Sequence, residues 1–329
     1  MQQIASFVIG IVLLYFGAEL LVRGSARLAR SFGISALVVG LTVVAVGTSA
    51  PELVVSLIAV LRGQADLTVG NVVGSNISNI ALILGISALI YPIAVRARLL
   101  SRGIPLMIVA TIAFALLVRD GMLGRAGGLF LFVGLIAYFT YLLRSRGDEL
   151  PEVEAEYEQH QQERGCCPRD ESRLWNTGLA FVGLVLLAAG AHLLVGAATV
   201  FALHVGMSEL VVGLTVVAIG TSLPELATSV LAAFRKEADI AVGNAVGSNV
   251  LNILGVLGPA AVLRPLAVAP AMLRFELPVM IAASVLLLPL AWTRLRLERW
   301  EGAVLVAGYA VFVVVLLARS ADPAGIAGP

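Results

Sequence analysis

Charge is scarce in this chain. Only 13% of its 329 residues are Asp, Glu, Lys or Arg, about half the share of an average soluble domain. The formal net charge is +1 and the charges are scattered between apolar runs, which leaves no basic patch to meet a nucleic acid. Cysteine is nearly absent. The two present, Cys166 and Cys167, are adjacent in the most polar stretch; even with His160 nearby their spacing fits no zinc pattern, and they read as reduced loop thiols. No basic residue precedes the first apolar run, which argues against a cleavable signal and makes residues 4–22 a retained first span. EF-hand spacing is missing from the acidic segment PEVEAEYEQHQQER, so that segment reads as a solvated linker with some helix, an acidic regulatory calcium site being the lesser alternative.

Apolar residues fill the space that charge leaves. They make up 59% of the chain, and the mean hydropathy of +0.98 lies in the membrane range. A bilayer core takes about 20 apolar residues as helix. Ten such runs occur, over 4–28, 35–61, 67–91, 103–118, 125–143, 175–202, 208–234, 240–263, 276–293 and 300–318, the fourth being the shortest. The expected architecture is an all-α integral membrane protein of ten helices: a five-helix unit over 1–144, a polar loop over 145–174, and a second five-helix unit over 175–329. Placing that loop in the cytoplasm puts 16 of the 22 Lys and Arg residues inside and 6 outside, the sense that the positive-inside rule demands. Both termini are then outside, in a plasma (inner) membrane. The lipid bilayer is a required partner and no nucleic acid is; a monomer is compatible with the sequence, which leaves the oligomeric state open.

The strongest signal is internal. Residues 40–79 and 213–252 align without a gap at an offset of 173, with 25 identities in 40 positions, inside repeats that extend over about 40–85 and 213–258. Five spans separate the copies, so the second must sit upside down relative to the first. Inverted repeats with interrupted helices near the midplane are a transporter arrangement; an enzyme or a scaffold has no need of one.

Each copy carries G-T-S-x-P-E within an apolar span. Pro51 and Pro224 have no N–H to donate and crowd the carbonyls of Gly47 and Gly220. The helix is therefore expected to kink or open, with Ala45 and Ala218 at the start of each opening. Thr48 with Glu52, and Thr221 with Glu225, are four apart and share a helix face. A carboxylate at mid-bilayer is costly and so a functional candidate. Two facing each other repel unless a cation or proton lies between them, and oxygen-only ligands suit hard ions. The third and eighth spans add Asn71, Ser75 and Asn79, and Asn244, Ser248 and Asn252, as stripes of period four. Interhelical hydrogen bonding is the simpler reading for Asn71 and Asn244. Asp66 and Asp239, at the starts of those spans, read as helix N-caps. Glu19 and His192 are repeat partners of unlike chemistry, placed beside an interface or a polar neighbour, and His204 falls in an outer loop.

At GTSAPE with GNVVGSN, and GTSLPE with GNAVGSN, the chain resembles the paired alpha-repeats of the prokaryotic sodium/calcium exchangers, in the calcium/cation antiporter superfamily. The resemblance covers nearly the whole chain. It implies a calcium site at Thr48, Glu52, Thr221 and Glu225. It also implies a sodium site toward the inner face at Ala45, Thr48, Ser49, Glu52 and Ser75. The mirror site toward the outer face is Ala218, Thr221, Ser222, Glu225 and Ser248, and Asn79 and Asn252 flank a central position. Potassium-dependent relatives carry Asp where this chain has Asn252, which argues against K+ coupling. The proton-coupled branch carries GNxxE in place of GTSxPE, which argues against proton exchange. The expected function is antiport of Na+ for Ca2+ by alternating access, spans one and six sliding on a fixed core through Gly10, Gly17, Gly24, Gly183, Gly190 and Gly196. Ca2+ and Na+ are substrates, and no cofactor is implied. The alternatives are Ca2+/H+ or other cation exchange on the same scaffold and, from another class, a Ca2+-permeable channel. A hydrolase lacks both the G-x-S-x-G elbow and a base near Thr48 or Ser49.

Overall fold

The computed structural model describes residues 2–144, 173–204 and 218–321. The expected loop over 145–174 lies outside them except for its last two residues, as do residues 208–217 of the seventh expected span. Within the described residues the chain is helical: α1 (Gln2–Phe32), α2 (Ala36–Thr48), α3 (Ala50–Leu61), α4 (65–90), α5 (Leu99–Leu117), α6 (Arg125–Arg144), α7 (Arg173–His204), α8 (Ala218–Thr221), α9 (Leu223–Phe234), α10 (Ala238–Leu263), α11 (Pro270–Arg274), α12 (Glu276–Trp292) and α13 (Arg299–Ala321). Among the described residues eight helices are long and apolar enough to cross a bilayer, nine if the bent pair α2–α3 is one span. The fourth expected span is longer than its sequence signal, because a π-type turn over Leu99–Gly103 extends α5 toward the N-terminus. His204, expected in a loop, is the last residue of α7.

Burial sorts the helices. About three-quarters of α4 and α10 is enclosed, 72% and 78% of their apolar windows, against 22–33% for the other long spans. These two therefore form the centre of the molecule. One core gathers Val69, Val73, Ile77 and Ile80 of α4, Val246 and Ile253 of α10, and Met107, Phe114, Met280 and Leu305 from the surrounding helices. A second, separate core joins α1 to α7, with Leu14, Ala18, Leu21 and Val22 against Ala180, Leu187 and Ala191. The outer faces stay apolar: Phe7, Val8 and Ile11 of α1, Phe130 and Val133 of α6, and Val311 and Val314 of α13 are exposed. Water would not tolerate so much contiguous apolar surface; hydrocarbon does. The chain is a multi-pass membrane protein.

Two contacts depend on glycine. Along the α1–α7 seam, a Cβ on Gly17 would lie 2.7 Å from Leu187 N and 2.9 Å from Gly183 O, and Gly10 meets Gly190 in the same way. Gly196, expected on this seam, meets none of it: no described atom lies within 4 Å of its Cβ position. Between α2 and α10, a Cβ on Gly243 would lie 2.9 Å from Leu37 O and 3.1 Å from Gly40 Cα. Small residues let the backbones meet where there is no hydrophobic drive between helices.

Two antiparallel two-residue ladders interrupt the helical pattern. β1 (Ile93–Ala94) pairs with β4 (Arg296–Leu297), and β2 (Met122–Leu123) pairs with β3 (Leu266–Ala267). Each ladder joins a loop of one half to a loop of the other.

Candidate ion site

Both G-T-S-x-P-E segments break at the serine. Ser49 (φ −81°, ψ 4°) separates α2 from α3, whose axes differ by 44°. Ser222 (φ −88°, ψ 7°) separates α8 from α9. The prolines lie in the first turn of the second helix of each pair, where a missing N–H is tolerated. The break therefore falls before the proline. Of the expected kink or opening it is the kink that forms, with the adjoining bonds kept: Ser49 N–H still donates to Ala45 O (3.0 Å), Leu53 N–H to Ser49 O (3.1 Å) and Leu226 N–H to Ser222 O (3.0 Å).

The breaks lie against α4 and α10, and every expected site residue with a described side chain is buried there: Ala45, Thr48, Ser49, Glu52, Ser75, Asn79, Thr221, Ser222, Glu225, Ser248 and Asn252. Ala218 opens α8. Hydrogen bonds cross between the two copies in reciprocal pairs. Ser49 Oγ donates to Glu225 Oε1 (3.1 Å), and Ser222 Oγ lies 3.4 Å from Glu52 Oε1 and 3.2 Å from Ser75 Oγ. Thr48 Oγ1 reaches Asn244 Oδ1 (3.0 Å), and Thr221 Oγ1 reaches Asn71 Oδ1 (3.3 Å). Asn79 Nδ2 donates to Asn249 Oδ1 (3.0 Å), and Asn252 Nδ2 to Asn76 Oδ1 (3.1 Å). This i-to-j, j-to-i pattern is what a two-fold relation between halves produces.

What the network leaves over is oxygen. Of the eleven buried side-chain oxygens without a hydrogen-bond partner among the described residues, five are Glu52 Oε2, Glu225 Oε2, Asn79 Oδ1, Asn252 Oδ1 and Ser248 Oγ. A buried acceptor left alone is costly, and these five gather on the residues singled out by the repeat. None of the ion pairs among the described residues involves Glu52 or Glu225. Nor do the described residues include any group of three or more His, Cys, Asp or Glu side chains. Two carboxylates surrounded by hydroxyl and amide oxygens suit a hard cation better than a transition metal.

Some residues take other roles. Asp239 does not act as an N-cap: that position is Glu237 without a side-chain cap bond, and Asp239 accepts from Arg96 Nε at 2.6 Å. The side chain of Asp66 lies outside the described set, as do His160, Cys166 and Cys167. Glu19 is buried and accepts from Arg235 Nε (3.0 Å), with Arg23 also paired to it, while its repeat partner His192 is exposed. Asn71 and Asn244 make the expected interhelical bonds. Asn76 and Asn249 were not singled out by sequence reasoning. Each donates to the other's backbone carbonyl (3.2 and 3.3 Å) and pins α4 to α10. The available signal was their matched place in G-S-N, directly after the site serine.

Comparison with known proteins agrees with this geometry. The family model described as sodium/calcium exchanger protein matches residues 2–144 and 175–318. The chain is 34% identical to the sodium/calcium exchanger MaX1 of Methanosarcina acetivorans, over 94% of this chain and 96% of that protein. It is 37% identical to the inner membrane protein YrbG of Escherichia coli (strain K12), over 95% and 96%. A solved structure of the sodium-calcium exchanger NCX_Mj, soaked with 2.5 mM Na+ and 0.1 mM Ca2+, superposes with a TM-score of 0.82 at 32% identity, covering 95% of this chain and 98% of that one.

Proposed function

The chain belongs to the sodium/calcium exchanger family of cation antiporters, which are transporters and not enzymes, and we propose that it exchanges Na+ for Ca2+ across the inner membrane by alternating access, without K+. The observation that carries this reading is the set of five partnerless buried oxygens on Glu52, Glu225, Asn79, Asn252 and Ser248. One Ca2+ balances the two carboxylates. Two Na+ do the same, so the two loads exclude each other, and exchange is electrogenic if more than two Na+ enter per Ca2+.

Thr48, Glu52, Thr221 and Glu225 hold Ca2+ in this reading. Ala45, Thr48, Ser49, Glu52 and Ser75 form one Na+ site, and Ala218, Thr221, Ser222, Glu225 and Ser248 its mirror. Asn79 and Asn252 border the centre, and the amide at Asn252 brings no third charge for a K+ to balance.

The ten-span topology has a physical argument behind it. β1 and β4 pair, so the loops holding them lie on one side of the membrane, which requires an even number of crossings between them. The described residues contribute five long helices there, from Leu99–Leu117 to Pro270–Leu295. The stretch 208–234 supplies the sixth. The halves 1–144 and 175–329 are then inverted repeats joined by a cytoplasmic 145–174 loop, with both termini outside.

The test is calcium-45 uptake into proteoliposomes loaded in turn with Na+, K+ or protons. Uptake that requires a sodium gradient and disappears in Glu52→Gln is the expected result. Uptake driven by a proton gradient alone would make the protein a Ca2+/H+ exchanger, and uptake without any gradient would make it a channel.

A further inference from the structure

We propose that Asn244 and Asn71, which belong to neither the calcium nor the sodium ligand set above, are positioning residues: each sets the hydroxyl of the ligand threonine on the opposite repeat, and so decides which backbone carbonyls are left for the ion. The proposal deepens the sodium/calcium reading and rests on it.

A threonine hydroxyl has one proton to give. Within a helix it ordinarily returns that proton to a carbonyl three or four residues back. Thr48 Oγ1 has this choice, with Val44 O at 3.1 Å and Ala45 O at 3.4 Å, and across the repeat it meets Asn244 Oδ1 at 3.0 Å and the Glu225 carboxylate. The direction of the amide is fixed by what its nitrogen does. Asn244 Nδ2 donates to Ser229 Oγ (3.0 Å) and lies 3.4 Å from the main-chain oxygen of Glu225. Both are acceptors from α9, so the amide oxygen is turned toward Thr48.

The consequence falls on the ligands. Ala45 O already accepts from Ser49 N–H at 3.0 Å, and a carbonyl oxygen has two lone pairs. If Thr48 gave its proton to Ala45, the second would be used. With the proton held by Asn244, the second lone pair of Ala45 O and both lone pairs of Thr48 Oγ1 remain for a cation. The backbone allows this because Gly243, next in sequence to Asn244, lets α10 approach the Gly40 turn of α2. A side chain there would hold Asn244 away from Thr48.

The mirror arrangement is present and looser. Asn71 Nδ2 donates to Ser56 Oγ at 3.3 Å, and Thr221 Oγ1 reaches Asn71 Oδ1 at 3.3 Å. Ser56, Asn71, Ser229 and Asn244 are all buried, so neither chain of bonds has bulk water to replace a lost member. Each threonine ligand is thus held by the repeat that does not contain it, and the two ion sites share a common support.

The test is a double-mutant cycle between Thr48→Val and Asn244→Ala in the full-length protein, read as the half-saturating Na+ concentration and the maximal rate of calcium-45 exchange in proteoliposomes. Asn244→Ala is expected to raise the half-saturating Na+ about three- to tenfold, the worth of one hydrogen bond, with the maximal rate nearly unchanged. In the Thr48→Val background the same substitution is expected to add nothing. Additive effects, or a fall in maximal rate with unchanged half-saturation, would overturn the proposal. Should Asn244→Ala fail to fold, the Asn71→Ala and Thr221→Val pair gives the equivalent cycle, with a smaller expected shift. If the wild-type protein shows no Na+ dependence, the sodium reading fails by itself. The cycle is then read on half-saturating Ca2+, where non-additivity still supports the positioning role and additivity still sinks it.

Discussion

Ser75 and Ser248 occupy matching positions, yet only Ser75 has a partner, Ser222 Oγ at 3.2 Å; Ser248 Oγ is buried with none. Removing a hydroxyl that bonds nothing in the protein has little stability to lose, whereas an interhelical bond inside a membrane is worth about 0.6 kcal/mol. Ser248→Ala is therefore expected to keep the ion-free melting temperature in detergent and to weaken Na+ protection against melting. Ser75→Ala is expected to lower both, and equal ion-free losses in the two variants would contradict the assignment. Glu52→Gln and Glu225→Gln are each expected to abolish Ca2+ exchange while the protein still assembles, because the amide keeps the shape and removes the charge. At this scale the sequence was highly legible: the 173-residue offset pairs Thr48 with Thr221 and Glu52 with Glu225, and all four side chains are buried beside the helix breaks. Asn76 escaped notice because one asparagine in a small-residue stripe looks like any other; its reciprocal bond to Asn249 exists only once α4 and α10 meet.

Among the elements, the α1–α7 seam offers the sharpest expectation. A side chain at Gly17 would press on the backbone of Leu187 and Gly183, and backbone cannot swing aside as a side-chain tip can. Overpacking of this kind costs about 1–3 kcal/mol. Gly17→Val is expected to lower the melting temperature and the exchange rate together, whereas Gly196→Ala, with no described atom within 4 Å of its Cβ position, should alter neither. The period-seven spacing of Gly10, Gly17 and Gly24 was visible in the sequence. Which glycines met which was not, and Gly196 shows the limit: a small residue marks a contact only when a neighbour arrives. Proline was similarly informative about where α2 ends and α9 begins, but it did not predict that the bend would fall on Ser49 and Ser222 with the adjoining hydrogen bonds kept. Asp239 was misread because local capping chemistry is readable from neighbouring residues and an arginine 143 positions away is not.

For the whole molecule, the two strand ladders make sidedness testable. With Cys166 and Cys167 replaced by Ser, a single cysteine at Asp120 is expected to react with a membrane-impermeant thiol reagent from outside. One at Arg294 should react only in inverted vesicles, and the opposite result would reverse the topology. Hydropathy made the eight long apolar helices and the bent α2–α3 pair among the described residues readable, but the ladders β1–β4 and β2–β3 are too short to have a sequence pattern. The five partnerless oxygens have a consequence at this scale as well. Two buried carboxylates with no counter-charge among the described residues cost several kcal/mol to enclose in their charged form, and each 1.4 kcal/mol is a factor of ten in how often a state is visited. On the exchange proposed above, an occluded carrier holding neither cation nor proton is thus rare, and the return stroke is made loaded. On that proposal strict coupling needs no separate gate or sensor: the same oxygens that would bind the ions suppress the slippage that would let one gradient run down without building the other.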